Sequence, residues 1–251
     1  MLGLKQEMRR RNKYIMRILD IDMDFFQSEI NSFEDDSLIH WSANDVQVWS
    51  DERFILFLEH QCGLSKSHPT RGRIFNFHED TFFTLQELIR RGIIHPPFSI
   101  THIDAHSDMA YDTSISYYRF LKTLNNVNRD EFECKTLFDG KNLEYINSGN
   151  YLVALALNAW VDRITYVYHE STTMLDFSEN YIKCTVPRKE FEFNFFGETR
   201  VPWTKIDVVN GREFSNVEKY DYVCVAISPS YTVKNIHRLV DILKEYIDIE
   251  G

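Results

Sequence analysis

The sequence has 251 residues, of which 43% are hydrophobic and 26% are charged, a composition typical of a folded globular protein and not of a disordered or fibrous one. Its 28 Lys and Arg residues stand against 38 Asp and Glu residues, and the net charge of −10 disfavours a nucleic acid as a partner. The longest apolar stretch, residues 151–161, is too short to span a bilayer, and no apolar region follows the basic residues near the N-terminus. The four cysteines form no Cys-x-x-Cys motif. We therefore expect a cytoplasmic protein with no membrane partner.

The first half of the chain alternates between apolar segments typical of buried strands and segments with helical periodicity. After a leader at residues 1–13, strands are predicted at residues 14–19, 73–77 and 98–103, and helices at residues 44–61 and 81–91. Polar, turn-rich segments at residues 27–43 and 63–72 separate these elements. Asn44 is the predicted N-cap of the first helix, and Gly92 is the predicted stop of the second.

The second half continues this alternation after an irregular, polar segment at residues 111–147. It contains a predicted helix at residues 149–160, a strand at 164–168, a hairpin at 180–205, a strand at 222–227 and a final helix at 233–247. Strands that alternate with helices favour a mostly parallel sheet. The sequence therefore predicts a single α/β domain over residues 1–251, a three-layer α/β/α sandwich that binds ligands at the carboxyl ends of its strands.

Potential metal ligands follow three of the predicted strands. We assign as ligands Asp20 and Asp22 after the first strand, His78 after the second, and Asp104, His106 and Asp108 after the third. Asp24 is expected to orient a ligand from outside the coordination sphere. Mixed carboxylate and imidazole ligands suit Mn, Fe or Zn, with Mn favoured as the number of oxygen ligands rises. Four carboxylates would balance the charge of two divalent ions, so we predict two Mn²⁺, with Fe²⁺ or Zn²⁺ as alternatives.

Each motif by itself also has a purely structural interpretation. An isolated Asp-x-Asp at a strand end is often a helix cap or a surface turn. An isolated histidine such as His78 is more often a hydrogen-bonded core residue than a ligand. The combination of three such motifs at three strand ends favours the metal site over these interpretations.

The motifs resemble those of the ureohydrolases, the superfamily of arginase and agmatinase. Residues 104–108 (DAHSD) resemble the family motif DAHxD, residues 19–22 (LDID) resemble its second metal motif SxDxDxxDP, and residues 148–150 match its SGN segment. In arginase the second metal motif follows DAHxD, whereas here it comes first, which implies a circularly permuted arginase-like or deacetylase-like fold. The combination is most similar to a small family allied to arginase whose bacterial members include peptide arginases.

This resemblance implies metal-dependent hydrolysis of arginine side chains in a precursor peptide, which yields ornithine and urea. It assigns substrate binding to Ser148 and Asn150. It also implies that Asp108 accepts the proton of the attacking water and passes it toward the leaving amine.

Two positions depart from the arginase pattern. Leu152 stands where arginase has a proton-shuttling histidine, and Ala226 stands where it has a glutamate that binds the guanidinium. We predict that His169 takes the first role, with His102 as an alternative. For the guanidinium we predict Glu170, with Glu79 and Asp80 as alternatives.

Three other functions remain open from the sequence. A deacetylase-like amidohydrolase on the same fold would suit the loss of the guanidinium glutamate. A phosphohydrolase of the haloacid dehalogenase type would also begin with Asp-x-Asp after an apolar strand, but it leaves His78 and residues 104–108 unexplained. A binding protein that keeps its metal for stability would explain both departures from arginase.

Overall fold

One nine-stranded sheet forms the centre of the protein in the computed structural model, which describes residues 14–28, 46–109, 146–172, 182–185, 190–193 and 204–250. The strands are β1 (Arg17–Asp22), β2 (Thr70–Phe75), β3 (Phe98–Asp104), β4 (Val161–Tyr168), β5 (Ile182–Thr185), β6 (Glu190–Phe193), β7 (Lys205–Asn210), β8 (Tyr222–Ala226) and β9 (Ile247–Ile249). Their order across the sheet is β5-β6-β7-β4-β3-β1-β8-β2-β9.

Most of the sheet is parallel. The seven strands from β7 to β9 in this order pair in parallel, and β6 and β5 continue the sheet antiparallel at one edge. The central strand β8 is buried along its whole length, as expected for a parallel strand covered on both faces. The predicted α/β class with a mostly parallel sheet is therefore confirmed.

Helices cover both faces of the sheet. They are α1 (Asp51–Leu56), which continues as a π-helix (Phe57–Gln61), α2 (Asp80–Arg90), α3 (Tyr151–Leu157) and α4 (His237–Leu243). Phe82 of α2 and Tyr151 of α3 belong to one hydrophobic core, which includes Ile18 of β1. Phe54 of α1 and Leu239 of α4 belong to a second core, which includes the next strand residue, Leu19. Because successive strand residues point to opposite faces, these two cores separate three layers.

Several element boundaries differ from the prediction. The first strand begins at Arg17 and not at residue 14, and α1 begins at Asp51 and not at residue 44. The Oγ of Ser50 caps α1 by accepting a hydrogen bond from the backbone N–H of Arg53 (3.3 Å). Residues 46–49 are not helical, and Val48 forms a β-bridge with Gln27. The predicted cap Asn44 lies outside the described residues.

The C-terminal segment also differs from the predicted helix at residues 233–247. A 3₁₀ turn (Lys234–Ile236), α4 and a second 3₁₀ turn (Lys244–Tyr246) lead into β9, which pairs with β2. Strand β2 begins at Thr70, inside the predicted loop at residues 63–72. It contains Gly72, where an added Cβ would lie 2.4 Å from the carbonyl oxygen of Val223, so only glycine fits. This pairing could not be predicted, because the three residues of the edge strand β9, IDI, are too short a segment to show a strand pattern.

The remaining predicted elements fall into two groups. The helices predicted at residues 81–91 and 149–160 and the strands at 98–103, 164–168 and 222–227 correspond to α2, α3, β3, β4 and β8, and β5 and β6 form the predicted hairpin. The leader at residues 1–13 and most of the segments at residues 27–43 and 111–147 lie outside the described residues. Within the described part of the chain, no helix combines the length and the apolar character needed to cross a membrane.

Candidate metal centre

The predicted metal ligands are buried at the carboxyl edge of the sheet. Asp22 and Asp104 are the last residues of the neighbouring strands β1 and β3, and His78 follows β2. Asp24 lies in the 3₁₀ turn (Met23–Phe26) that directly follows β1. Six residues form what we call the Asp–His cluster, each no more than 8% exposed: Asp22, Asp24, His78, Asp104, His106 and Asp108.

The imidazole of His78 brings three carboxylates to one point. Its Nδ1 lies 3.1 Å from Asp22 Oδ2, 3.0 Å from Asp104 Oδ2 and 2.9 Å from Asp108 Oδ2. Yet His78 Nδ1, Asp104 Oδ2 and Asp108 Oδ2 are buried and have no hydrogen-bond partner among the described residues. Buried polar atoms are rarely left without a partner. Convergent oxygen and nitrogen atoms in this state are a donor set that fits a metal cation.

A second group of ligand atoms shares Asp104 with the first. His106 Nδ1 lies 3.0 Å from Asp24 Oδ2 and 3.7 Å from Asp104 Oδ1, and these three side chains form a potential metal site of their own. Asp104 also accepts a hydrogen bond from the backbone N–H of His106 (2.7 Å), which holds its carboxylate in place. Asp104 belongs to a third potential group as well, with His102 and Asp108. A carboxylate common to several groups of ligands is the arrangement expected of a site for two adjacent metal ions.

Asp20, which was predicted to be a ligand, lies on the other side of the His78 ring. Its Oδ1 is 3.3 Å from His78 Nε2 and accepts a hydrogen bond from the Thr81 hydroxyl (2.8 Å). Its Oδ2 lies 2.9 Å from His102 Nδ1 and accepts a hydrogen bond from the Tyr151 hydroxyl. Asp20, His78 and His102 form a further potential metal group. Both oxygens of Asp20 accept hydrogen bonds, as do both oxygens of Asp22, so these bonds do not separate Asp20 from the carboxylates of the cluster.

The turn after β1 explains why Asp24 joins the cluster. The strand ends at Asp22, whose Oδ1 accepts a hydrogen bond from the backbone N–H of Asp24 (3.1 Å) and so caps the 3₁₀ turn. This turn places the Asp24 carboxylate beside His106. Strand alternation alone put Asp20, Asp22 and Asp24 on one side of the chain, and it contained no information about the turn.

Crowding of negative charge perturbs the pKa values of the cluster. Burial, followed by the charge of Asp104, raises the pKa of Asp108 to about 7. Burial, followed by the charges of Asp22 and Asp104, raises the pKa of Asp24 well above its ordinary value. Although burial disfavours the imidazolium, the carboxylate of Asp20 raises the pKa of His78. A bound cation would relieve this repulsion, because it replaces protons as the compensating charge.

Two residues at the cluster have a left-handed backbone conformation that is uncommon for residues other than glycine. Asp108 has φ 50° and Ser228, which follows β8, has φ 48°. The hydroxyl of Ser228 donates a hydrogen bond to Asp22 Oδ2. Such conformations cost about 1–3 kcal/mol each and persist where the surroundings impose them, as they commonly do at functional sites.

The predicted substrate-binding residues Ser148 and Asn150 lie in the turn before α3. The Ser148 hydroxyl donates a 2.5 Å hydrogen bond to Oε2 of Glu79, the residue after His78. Asn150 Oδ1 accepts a hydrogen bond from the backbone N–H of Asn147 (3.0 Å), which closes the turn. The structure therefore brings Ser148 next to the segment that carries His78, and it gives Asn150 a role in the local backbone.

His169 and Glu170 follow β4 and belong to none of the potential metal groups among the described residues. Glu170 Oε2 accepts hydrogen bonds from Arg212 Nε (2.7 Å) and Arg53 Nη2 (2.9 Å), and these bonds lower the pKa of Glu170. His169 Nδ1 lies 2.7 Å from the Ser171 hydroxyl, and burial lowers the pKa of His169. The catalytic role of His169 and the guanidinium-binding role of Glu170 stay predictions.

Two tyrosines near the cluster were not found by sequence reasoning. The Tyr151 hydroxyl lies 3.1 Å from both His78 Nε2 and His102 Nδ1. The ring centroid of Tyr231 lies 5.6 Å from that of His106. Only their positions in the sequence could have pointed to these two residues. Tyr151 directly follows the SGN segment, and Tyr231 lies shortly after the strand β8.

No protein-family model and no curated protein matches this chain significantly. The likeness to ureohydrolases therefore depends on the short sequence motifs alone and stays a prediction.

Proposed function

We propose that this protein is a metal-dependent hydrolase that cleaves the guanidinium group of arginine residues in a precursor peptide, releasing urea and leaving ornithine. The observation that supports the hydrolase proposal is that several buried ligand groups share Asp104. The choice of substrate comes from the resemblance to ureohydrolases and peptide arginases. On this proposal the sheet is a circularly permuted arginase-like fold.

Two ions would be held by the two groups of ligands. Asp22, His78, Asp104 and Asp108 would hold one, and Asp24, Asp104 and His106 would hold the other, with Mn²⁺ favoured by the excess of oxygen ligands. When bound, such ions lower the pKa of water and supply a nucleophile near neutral pH.

The residues of the chain would move the proton and orient the substrate. Asp108, whose carboxylate lies within the cluster, would accept the proton of the attacking water and return it to the leaving amine. General acid–base help of this kind is worth roughly 10²–10⁴ in rate.

Glu79 is better placed than Glu170 to bind the guanidinium. Glu79 directly follows His78, and its Oε2 is oriented by the hydroxyl of Ser148. Glu170 is already paired with two arginines. A carboxylate fixed beside the cluster could form a bidentate pair with the substrate guanidinium.

Mass spectrometry of the Mn-loaded protein tests the proposal. An arginine-containing precursor peptide and free arginine are each incubated with the protein and with an Asp104→Asn variant as the control. We expect the peptide alone to lose one carbon and two nitrogens as urea, and only with the unmodified protein. Release of urea from free arginine would identify an ordinary arginase, and unchanged arginine in all candidate precursor peptides would contradict the proposal.

A deacetylase-like amidohydrolase is the second candidate. Ala226, at the carboxyl end of β8 beside Asp22, offers no carboxylate where arginase has one. Tyr231 lies close to His106, where a hydroxyl could stabilise the oxyanion formed from an amide. Hydrolysis of an acetyl-lysine peptide in the same assay would favour this function over the first.

A further inference from the structure

A cavity of about 510 Å³ lies at the carboxyl ends of β4 and β7, on the edge of the sheet that also carries the cluster. Glu170 follows β4, Gly211 and Arg212 follow β7, and α1 with its π-helix extension forms the opposite wall. We call this the β4–β7 cavity, and its lining residues are Phe25, Trp49, Arg53, Leu56, Phe57, His60, Gln61, Glu170, Gly211 and Arg212.

The polar side of the β4–β7 cavity carries an excess of positive charge. Arg53 and Arg212 both donate to the same oxygen of Glu170, so that one carboxylate faces two guanidinium groups. Within the described residues, these are the only side-chain hydrogen bonds that the two arginines make, which leaves further N–H groups available to a ligand. This local charge is opposite to the net charge of −10 of the whole chain. Charge complementarity therefore favours an anionic ligand.

The other side of the cavity is apolar and aromatic. The guanidinium carbon of Arg53 lies 3.5 Å from the ring centroid of Trp49, which fixes the orientation of the cation. Leu56 is 54% exposed although it lies on the cavity wall, so apolar surface remains uncovered there. A ligand that fits this cavity combines a carboxylate with an apolar group.

One short turn, Met23–Phe26, contributes a residue to the cavity and a residue to the Asp–His cluster. Phe25 lines the cavity and directly follows Asp24, whose carboxylate lies 3.0 Å from His106. The ring of Phe25 also packs edge-on against His169, with 5.5 Å between the ring centroids. The cluster and the cavity thus share one edge of the sheet, where a single peptide could contact both.

We propose that the β4–β7 cavity binds an acidic residue adjoining an aromatic or aliphatic residue in the peptide substrate, with Arg53 and Arg212 as the carboxylate-binding groups. This inference rests on the proposed function for the identity of the peptide. Glu170 then acts as the internal counter-ion that positions the two arginines and weakens their attraction for other anions.

Binding of three matched probes to the Mn-loaded protein tests this inference by calorimetry. The probes are acetyl-Phe-Glu-amide, acetyl-Phe-Gln-amide and acetyl-Phe-Arg-amide. We expect the Glu probe to bind about tenfold more tightly than the Gln probe, because only the former offers a charged partner to the arginines. The double variant Arg53→Gln, Arg212→Gln should remove this difference. Glu170→Gln should increase the affinity for the Glu probe, because the competing carboxylate is lost.

The control variant is Arg163→Gln. Arg163 is similarly exposed and is also paired with one carboxylate, but it lies in the amino-terminal half of β4. The Arg163→Gln variant should bind all three probes as the unmodified protein does. If the double variant does not fold, Glu170→Gln alone decides the question by the direction of its effect.

Three results would overturn the inference: no binding of the Glu probe, equal affinity for the Glu and Gln probes, or preferential binding of the Arg probe that Glu170→Gln abolishes. The last result would make the cavity a guanidinium site built on Glu170. Since the Glu and Gln probes contain no arginine, their binding is independent of hydrolysis, and failure of the proposed function is detected separately by mass spectrometry.

Discussion

Asp20 and His78 contact each other through the ring nitrogen that faces away from the Asp–His cluster. Asp20 Oδ1 lies 3.3 Å from His78 Nε2, while Nδ1 of the same ring points at the carboxylates of Asp22, Asp104 and Asp108. A histidine that binds a metal commonly donates its other N–H to a carboxylate, which fixes the tautomer and the orientation of the ring. We therefore expect Asp20 to influence a bound metal through His78.

We expect Asp20→Asn to weaken Mn²⁺ binding by roughly 10–100-fold without abolishing it, because the ligands remain but His78 loses its orienting charge. Asp22→Asn, which removes a group that faces His78 Nδ1, should weaken binding much more. Calorimetric titration with Mn²⁺ measures both. Asp207→Asn, which removes a surface carboxylate paired with Arg163, is the matched control. Equal losses for Asp20→Asn and Asp22→Asn would show that Asp20 is itself a ligand.

Because Asp104 belongs to more than one group of ligands, variants of Asp104 and Asp24 should bind different numbers of ions. We expect two Mn²⁺ per chain in the unmodified protein and one in Asp24→Asn, because Asp24 contributes to the His106 group alone. Asp104→Asn should bind neither ion firmly, since it takes a ligand from both groups. Native mass spectrometry gives these numbers directly. Two ions retained by Asp24→Asn would contradict the assignment of the second group.

The sequence predicts the centre of the site better than its surroundings. Asp22, Asp104 and His78 could be predicted together because each follows a short apolar run, and parallel strands end at one edge of a sheet. The position of Asp24 beside His106 depends on a 3₁₀ turn that strand periodicity does not contain, and the role of Asp20 as a ligand stays a prediction.

Contacts between distant parts of the chain escaped prediction. Glu170 was assigned to a substrate guanidinium, whereas it binds Arg53, 117 positions away in the sequence, and Arg212. Strand β9 was not predicted, and its first residue, Ile247, was predicted as the end of a helix, because these three residues form a strand only by pairing with β2. Such pairings are decided by tertiary structure and leave no local pattern.

The metal-free protein should lose stability as the pH rises. Asp108 retains its proton in the folded state up to about pH 7, whereas the unfolded chain releases it near its ordinary pKa of 3.8. Folding therefore takes up a proton between these values, and the free energy of unfolding falls as the pH increases through this window. His78, whose pKa is raised above its ordinary 6.5 by the carboxylate of Asp20 against the effect of burial, extends the same trend above pH 6.5.

Urea denaturation in the presence of EDTA measures this effect. We expect the free energy of unfolding at pH 8 to be lower than that at pH 5.5 by on the order of 2 kcal/mol. Asp108→Asn should reduce the difference, and Mn²⁺ should oppose it because the metal binds the deprotonated ligands. A stability that rises from pH 5.5 to pH 8 without metal would contradict the raised pKa of Asp108.

The hydroxyl of Tyr151 should contribute to stability through the buried network behind His78. It donates to Asp20 and lies 3.1 Å from ring nitrogens of His78 and His102, so Tyr151→Phe leaves buried polar atoms with one partner fewer while it preserves the packing of the ring. Loss of a partner in such a network costs about 1–3 kcal/mol. Tyr222→Phe is the matched control, because its hydroxyl makes a 3.3 Å hydrogen bond to Glu250 in a partly exposed position. We expect urea denaturation to show a clearly larger loss for Tyr151→Phe, and equal losses in the two variants would show that the network adds no stability of its own.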